Sequence, residues 1–268
     1  MTVKLLALDL DHTLLNDKRE IDIRDAEAIR AARDKGVAVT IATGRMFSAA
    51  HNFARDLNID VPIITYQGSI IRKLISEEDL LHLRLTNVVA KRAIEIAKKA
   101  DVHINVYDGD RLFVRKHNEL VERYKKVNGI EVIINKDFVD DLKIAPTKLV
   151  FIDNNYDKLN ILQKNIEQKF QNNWDITRSF PHLLELGHRQ ATKSKALEFL
   201  CKELDIKHHD IMAIGDGTND IDMLKWSGIG VAMGNAPLEV KRIADWVTAD
   251  NNNNGVAIAI EKYILNKR

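Results

Sequence analysis

Apolar and polar positions along the chain fall into three textures. Over residues 1–83, short apolar runs alternate with segments of helical period. Residues 3–8 (VKLLAL), 37–43 (VAVTIAT) and 61–66 (VPIITY) predict strands buried on both faces. Residues 22–36 (DIRDAEAIRAARDKG) and 47–57 (FSAAHNFARDL) predict helices, the first with Asp22 as N-cap and Gly36 as C-terminal stop. Strand–helix alternation of this kind predicts a parallel sheet with helices on both faces.

The middle, residues 84–187, reads differently. Residues 87–100 predict an amphipathic helix with Val89, Ala93, Ile96 and Ala100 on one face. Residues 103–107 (HINVY) and 111–115 (RLFVR) predict a hairpin turning at Asp108–Gly109. His103, Asn105 and Tyr107 then share one sheet face, which looks either into a site or onto a solvated edge, the pattern not deciding between them. Further strands are expected at 131–134, 147–152, 174–179 and 182–186. Helices are expected at 119–127 and through Leu159, Leu162 and Ile166. Hairpins mixed with helices predict an α+β unit. After Gly187 the first texture returns. Strands are predicted at 211–215 (IMAIG), 228–233 (GIGVAM) and 245–248, with helices at 193–204, 219–227, 237–244 and 255–265. Residues 250–254 (DNNNN) predict a solvated loop. The economical architecture is an α/β core, a Rossmann-like parallel sheet, split by an inserted α+β domain. The core takes residues 1–83 and 188–268, and the insertion 84–187.

Composition adds exclusions. The chain has 268 residues, 45% of them apolar and 29% charged, with a formal net charge of +1. Neither that balance nor the three tryptophans, Trp174, Trp226 and Trp246, suggests a nucleic-acid surface. The single cysteine, Cys201, lies in a helical pattern and reads as core. No apolar run reaches membrane-spanning length, so a cytoplasmic protein is expected. Nothing in the sequence decides between a monomer and a weak homodimer.

Candidate chemistry gathers where predicted strands end. The first strand runs into Asp9 and Asp11, residues two apart that can face one side. Two carboxylates so close need a cation, a shared proton or separate roles, unless both simply serve a turn. The strand at 211–215 runs into Asp216, Gly217, Thr218, Asn219 and Asp220, oxygen donors that suit Mg²⁺ or, more plainly, cap the next helix. Thr43, Gly44 and Arg45 follow the second strand, where a hydroxyl and backbone N–H groups can hold phosphate oxygens. Lys193 opens the helix after the insertion; a single lysine ordinarily sits in solvent. Together these groups supply what phosphoryl transfer through an aspartate needs. No GxGxxG turn follows the first strand, and no Walker A loop is present.

With these residues in order, the chain resembles the haloacid dehalogenase superfamily, in its Cof-type sugar-phosphatase branch with a type-two cap (subclass IIB). DLDHT at 9–13, TIATGR at 40–45, Lys193 and GDGTND at 215–220 resemble its four motifs, and VAMGNA at 231–236 and NNNNGVAIAIEKY at 251–263 also look like that branch. The resemblance implies a hydrolase that frees phosphate from a small phosphorylated metabolite. It implies Asp9 as nucleophile and Mg²⁺ ligand, and Asp11 as general acid and base with its carbonyl on the metal. Asp216 is then the remaining direct metal ligand, with Asp220 supporting the metal site through water. Leu10 (through its backbone), Thr43, Gly44, Lys193 and Asn219 hold phosphate, Arg45 assists with substrate, and the insertion is a cap. Two positions depart from the pattern: His12 stands where glycine is usual, and Gln67 where asparagine is. Two other functions use the same parts, a phosphomutase and a non-catalytic phosphometabolite binder.

Overall fold

The structure, a computed structural model, describes residues 2–128, 131–169 and 174–266. The chain begins β1 (Leu5–Leu8), α1 (Ile23–Asp34), β2 (Ala38–Ile41), α2 (Phe47–Asp56), β3 (Ile63–Thr65), β4 (Ile70–Arg72), β5 (Asp79–His82). Next come α3 (Asn87–Lys99), β6 (His103–Asp108), β7 (Arg111–Val114), α4 (Glu119–Asn128), β8 (Val132–Ile134), α5 (Lys136–Asp140), β9 (Lys148–Ile152), α6 (Tyr156–Lys169), β10 (Trp174–Phe180) and β11 (Leu183–His188). The last part is α7 (Lys193–Glu203), β12 (Ile211–Gly215), α8 (Ile221–Trp226), β13 (Ile229–Ala232), α9 (Leu238–Ile243), β14 (Trp246–Val247) and α10 (Gly255–Ile260), which runs on as a π-helical turn over Glu261–Leu265. These elements form two compact units. Met1–Arg45, Ala50–Leu81 and Thr192–Arg268 make the first, and Met46–Ala49 with His82–Ala191 the second.

In the first unit a parallel five-stranded sheet has the order β14-β13-β12-β1-β2. Every β1 residue is inaccessible to solvent, as an apolar run with helices on both faces requires. Helix α1 starts where expected, because the Asp22 carboxylate accepts the Arg24 N–H, and it stops at Gly36, whose φ of 83° suits glycine. The run at 61–66 departs from the parallel pattern. β3 pairs antiparallel with β4 and reaches β2's end through the single parallel bridge Ala42–Ile64. A second sheet, β3-β4-β5, results. β4, β5 and α5 carry too few residues for a period to show. After β3 the backbone is left-handed at three successive residues, Tyr66 (φ 53°), Gln67 (φ 57°) and Gly68 (φ 107°).

The second unit holds a six-stranded sheet, β10-β11-β9-β6-β7-β8, antiparallel except for β7–β8. One face packs Ile104, Val106, Leu149 and Phe151 against Ala90, Ala93 and Ala97 of α3 and Leu159, Leu162 and Ile166 of α6. The small alanines let α3 approach closely. Truncating Phe151, fully buried there, costs about 3–5 kcal/mol. The buried stripe of α3 is rotated from the expected one, since Ala90, Ile94 and Ala97 are buried while Ile96 and Ala100 are only partly so. Of the two places open to HINVY, the solvated edge is excluded. β6 lies between β9 and β7, and Asn105 and Tyr107 are buried. Among the described residues no helix is long and apolar enough to cross a membrane.

Candidate functional site

Parallel strands leave their carboxyl ends as a row of open backbone, and crevices form there. In the first unit the adjacent strands β12, β1 and β2 deliver Asp216, Asp9 and Thr43 to that row. The ladder runs one residue past β1, with the Asp9 N–H donating to the Ile214 carbonyl at 3.0 Å, and Thr43 N–H donates to the Ile64 carbonyl at 2.9 Å. Asp9 and Thr43 are thereby buried and held by backbone bonds.

Lys193 is the centre of charge. It is 1% exposed, contrary to the ordinary behaviour of a lysine, and its Nζ donates to Asp9 Oδ1 at 2.5 Å and Asp220 Oδ1 at 2.6 Å. Two features fix its helix start. The Thr192 hydroxyl accepts the Lys195 N–H, and the Asp222 carboxylate accepts both the Ser194 N–H (3.2 Å) and hydroxyl (2.6 Å). Asp220 does not cap the following helix. Its Oδ2 takes the N–H groups of Asp216 (3.1 Å) and Gly217 (2.9 Å), folding the loop around its own carboxylate. Asp216 in turn accepts the Thr13 hydroxyl at 3.0 Å.

Asp9, Asp216 and Asp220 each offer one oxygen, and all three oxygens lie within 4.8 Å of one another. Three carboxylates against one ammonium leave two negative charges in a largely buried site, a balance that a divalent cation cancels. The donor set therefore fits a hard oxygen-seeking metal. The titration behaviour has the same origin. Burial, then the nearby Asp220, pushes the Asp9 carboxyl up to about 8 against the pull of Lys193. Burial also raises Asp216, opposed by the Thr13 hydrogen bond. Burial alone would lower Lys193, but Asp220 and then Asp9 outweigh it and hold the ammonium above its ordinary value.

Asp11 stands apart from this cluster. The strand alternation that would turn it the same way as Asp9 ends with the ladder. Its carboxylate, with the side chain 46% exposed, instead meets the Arg45 guanidinium in a two-pronged pair, Nε–Oδ2 at 2.8 Å and Nη2–Oδ1 at 2.5 Å. His12, next along, has φ 58°, the left-handed turn that glycine or histidine can make. The Thr43 hydroxyl accepts the Arg45 N–H at 3.1 Å. Gly44 lies under Gln67, whose amide nitrogen would be 2.5 Å from any Cβ added there. Leu10 is fully buried, and its carbonyl accepts the Leu15 N–H. Asn219 donates from Nδ2 to Gln67 Oε1 at 3.0 Å.

Asp9, Lys193, Asp216 and Asp220 are thus brought together, Asp11 is paired with Arg45, and Asn219 is tied to Gln67. Sequence reasoning singled out Gln67 but missed Asp222, Asn235 and Asn251 as members of the surrounding network. For Gln67 the signal was present, since it replaces the usual asparagine beside a glycine.

Comparison with known proteins places this geometry. Residues 6–260 match the family described as haloacid dehalogenase-like hydrolase. Phosphatase YwpJ of Bacillus subtilis is 30% identical, with 95% of this chain and 98% of that protein covered. The 5-amino-6-(5-phospho-D-ribitylamino)uracil phosphatase YcsE of the same organism is 32% identical, over 98% of this chain and 96% of its own. Among solved structures, a haloacid dehalogenase-like hydrolase from Bacteroides thetaiotaomicron superimposes with TM-score 0.90 at 31% identity, covering 97% of this chain and 99% of that one. The subclass IIB sugar phosphatase BT4131 does so with TM-score 0.81 at 26% identity, over 97% and 99%. The motifs, the parallel core with its acidic crevice and these matches lead to one statement: the chain belongs to the haloacid dehalogenase-like hydrolases.

Proposed function

We propose that the protein is a Mg²⁺-dependent phosphatase of small phosphorylated metabolites, sugar phosphates foremost. The observation that carries this reading is the gathering of Asp9, Asp216 and Asp220, with oxygens within 4.8 Å of one another and one ammonium bonded to Asp9 and Asp220, at the carboxyl ends of β1 and β12. Asp9 Oδ2 has no hydrogen-bond partner among the described residues, which leaves it available as nucleophile. It attacks phosphorus as the bond from phosphorus to the leaving oxygen breaks, and Asp11 gives that oxygen its proton. In the second half, water attacks the phosphoryl group on Asp9 while Asp11 takes the water's proton. The bond from phosphorus to Asp9 then breaks, releasing phosphate and restoring both carboxyl groups. Lys193, Thr43, the backbone at Leu10 and Gly44, and the Asn219 amide hold the phosphoryl oxygens, and Arg45 engages substrate after releasing Asp11. Asp9, Asp216 and the Asp11 carbonyl would hold Mg²⁺, with Asp220 in support, and the ion would supply positive charge against the transferring phosphoryl group.

Residues 84–187 are the cap domain in this reading, and selection among leaving groups falls to it. The relatives add a phosphorylated ribitylaminouracil to a test panel of sugar phosphates, nucleotides, small phosphorylated cofactors and an aryl phosphate. Phosphate release is expected only with Mg²⁺, and Asp9→Asn is expected to abolish it. Turnover by Asp9→Asn near the wild-type rate overturns the covalent route, and release unaffected by chelator overturns the metal.

A further inference from the structure

Beside Asp216 and His12 opens a cleft of about 520 Å³ whose far wall is the loop at 250–254. The loop is not merely solvated. Asn251 is 3% exposed, and its Nδ2 donates to the Leu15 carbonyl at 3.1 Å and Asp17 Oδ1 at 3.2 Å. Its backbone N–H donates to Asn235 Oδ1 at 3.1 Å, and Asn235 Nδ2 donates to the His12 carbonyl at 2.8 Å. Both ends of the Asn235 amide are therefore used, one on the C-terminal loop and one on the residue after Asp11.

The stretch they grip is unusual. His12 is left-handed, a conformation that a residue bearing a side chain adopts at some cost unless its surroundings hold it. Within four residues the chain must turn the Asp11 carboxylate outward, aim the Thr13 hydroxyl at Asp216, and return the Leu15 N–H to the Leu10 carbonyl at 2.9 Å. An amide donor on the His12 carbonyl sets the plane of the peptide joining His12 to Thr13. A second donor on the Leu15 carbonyl closes the far end. Asn235 needs a donor and an acceptor at once, and a carboxylate in its place would set an acceptor against the His12 carbonyl.

We propose that Asn235 and Asn251 form a two-amide clamp that positions the 11–15 turn, and with it Asp11, for proton transfer. Both are positioning residues: they act through the His12 and Leu15 carbonyls. The inference rests on Asp11 being the acid and base of the proposed phosphatase, so its test has one arm that needs no turnover. Asn235→Ala, Asn235→Asp and the control Asn253→Ala, whose side chain bonds only Asp250 among the described residues, are compared with wild type. The assays are Mg²⁺-dependent hydrolysis of an aryl phosphate and of the best alkyl phosphate in the panel, and amide hydrogen exchange. Both Asn235 variants are expected to lose ten-fold or more in kcat on the alkyl phosphate, whose leaving group needs a proton. KM should change less than about three-fold, and kcat/KM on the aryl ester, which ends at formation of the aspartyl-phosphate and omits the water step, should fall less. Exchange at Thr13 and Leu15 should quicken at least ten-fold, with β12 amides unchanged and Asn253→Ala like wild type. Unchanged exchange at 13–15 overturns the clamp whether or not the wild-type protein turns over. Equal losses in kcat/KM on both esters, or the same loss in Asn253→Ala, overturn the positioning role. A wild-type protein inactive on every ester overturns the phosphatase reading alone, and the exchange arm still decides the clamp.

Discussion

Asp25 offers a test of the fold's electrostatics away from the crevice. It sits in the first turn of α1, is 1% exposed, and its Oδ1 accepts the Ala257 N–H at 2.7 Å. Asn254, the residue before α10, is left-handed and gives that helix no side-chain cap, so a carboxylate 232 positions before Ala257 does so. The cap is obtained against a desolvation penalty: burial raises the Asp25 carboxyl to about 6, opposed by the Ala257 hydrogen bond. A folded-state value above the unfolded 3.8 means that the stabilising contribution is complete below pH 3.8 and is lost as pH rises through 6. Titrating one group between those two values lowers the unfolding free energy by about 2 kcal/mol from pH 4.5 to 7.5. Asp25→Asn keeps an oxygen for Ala257 and cannot ionise. Urea unfolding of both proteins at several pH values from 4.5 to 7.5 should show the variant gaining on wild type by about 2 kcal/mol across that span. A difference that stays flat with pH refutes the reasoning, because the carboxyl would then titrate alike in both states.

Three further outcomes are expected. Lys193→Met leaves Asp9 and Asp220 buried without their cation, so it should destabilise the protein by about 3–5 kcal/mol at neutral pH in chelator, measured by urea unfolding; a loss below about 1 kcal/mol contradicts the geometry. Gly68→Ala places a Cβ 2.3 Å from the Thr192 carbonyl oxygen at φ 107°, and should lower stability by about 2 kcal/mol or more by the same assay, whereas a neutral result shows that the turn can move. Asp222→Ala removes the acceptor of two Ser194 bonds in the first turn of α7; about 1 kcal/mol of stability and a several-fold fall in kcat at unchanged Mg²⁺ requirement are expected, and an unaltered rate separates Asp222 from the placing of Lys193.

Much of the core and of its acidic crevice can be read from the chain, for a physical reason. A strand buried on both faces must be apolar throughout, so polar residues appear abruptly where it ends, and Asp9, Thr43 and Asp216 mark three such ends. What escaped reading depends on partners far away in sequence. A buried lysine is tolerable only between carboxylates, and those of Asp9 and Asp220 lie 184 and 27 residues from Lys193. The period-two rule for Asp9 and Asp11 holds only while the ladder lasts, and Asp11 already belongs to a turn. β4 and β5 escaped because three or four residues carry no period. Asn251 escaped because a run of asparagines looks like solvent-loving loop until its amide is seen against the Leu15 carbonyl.

The placing of β1 between β2 and β12 also bears on the order in which the molecule can assemble. Leu5 pairs with Ala38, 33 residues on, and with Ile211, 206 residues on. During synthesis the first strand can satisfy one edge almost at once, while its other edge stays open until four-fifths of the chain exists. Residues 82–191 carry no such debt to the C-terminus, since their sheet and helices are drawn from one contiguous stretch apart from Met46–Ala49. The second unit should therefore acquire amide protection early in refolding, and β1 and β12 together and late, because closing so long a loop delays the reward of pairing. Pulse-labelled hydrogen exchange reads that order directly. Protection of β12 ahead of the 103–108 strand would show that the core does not wait.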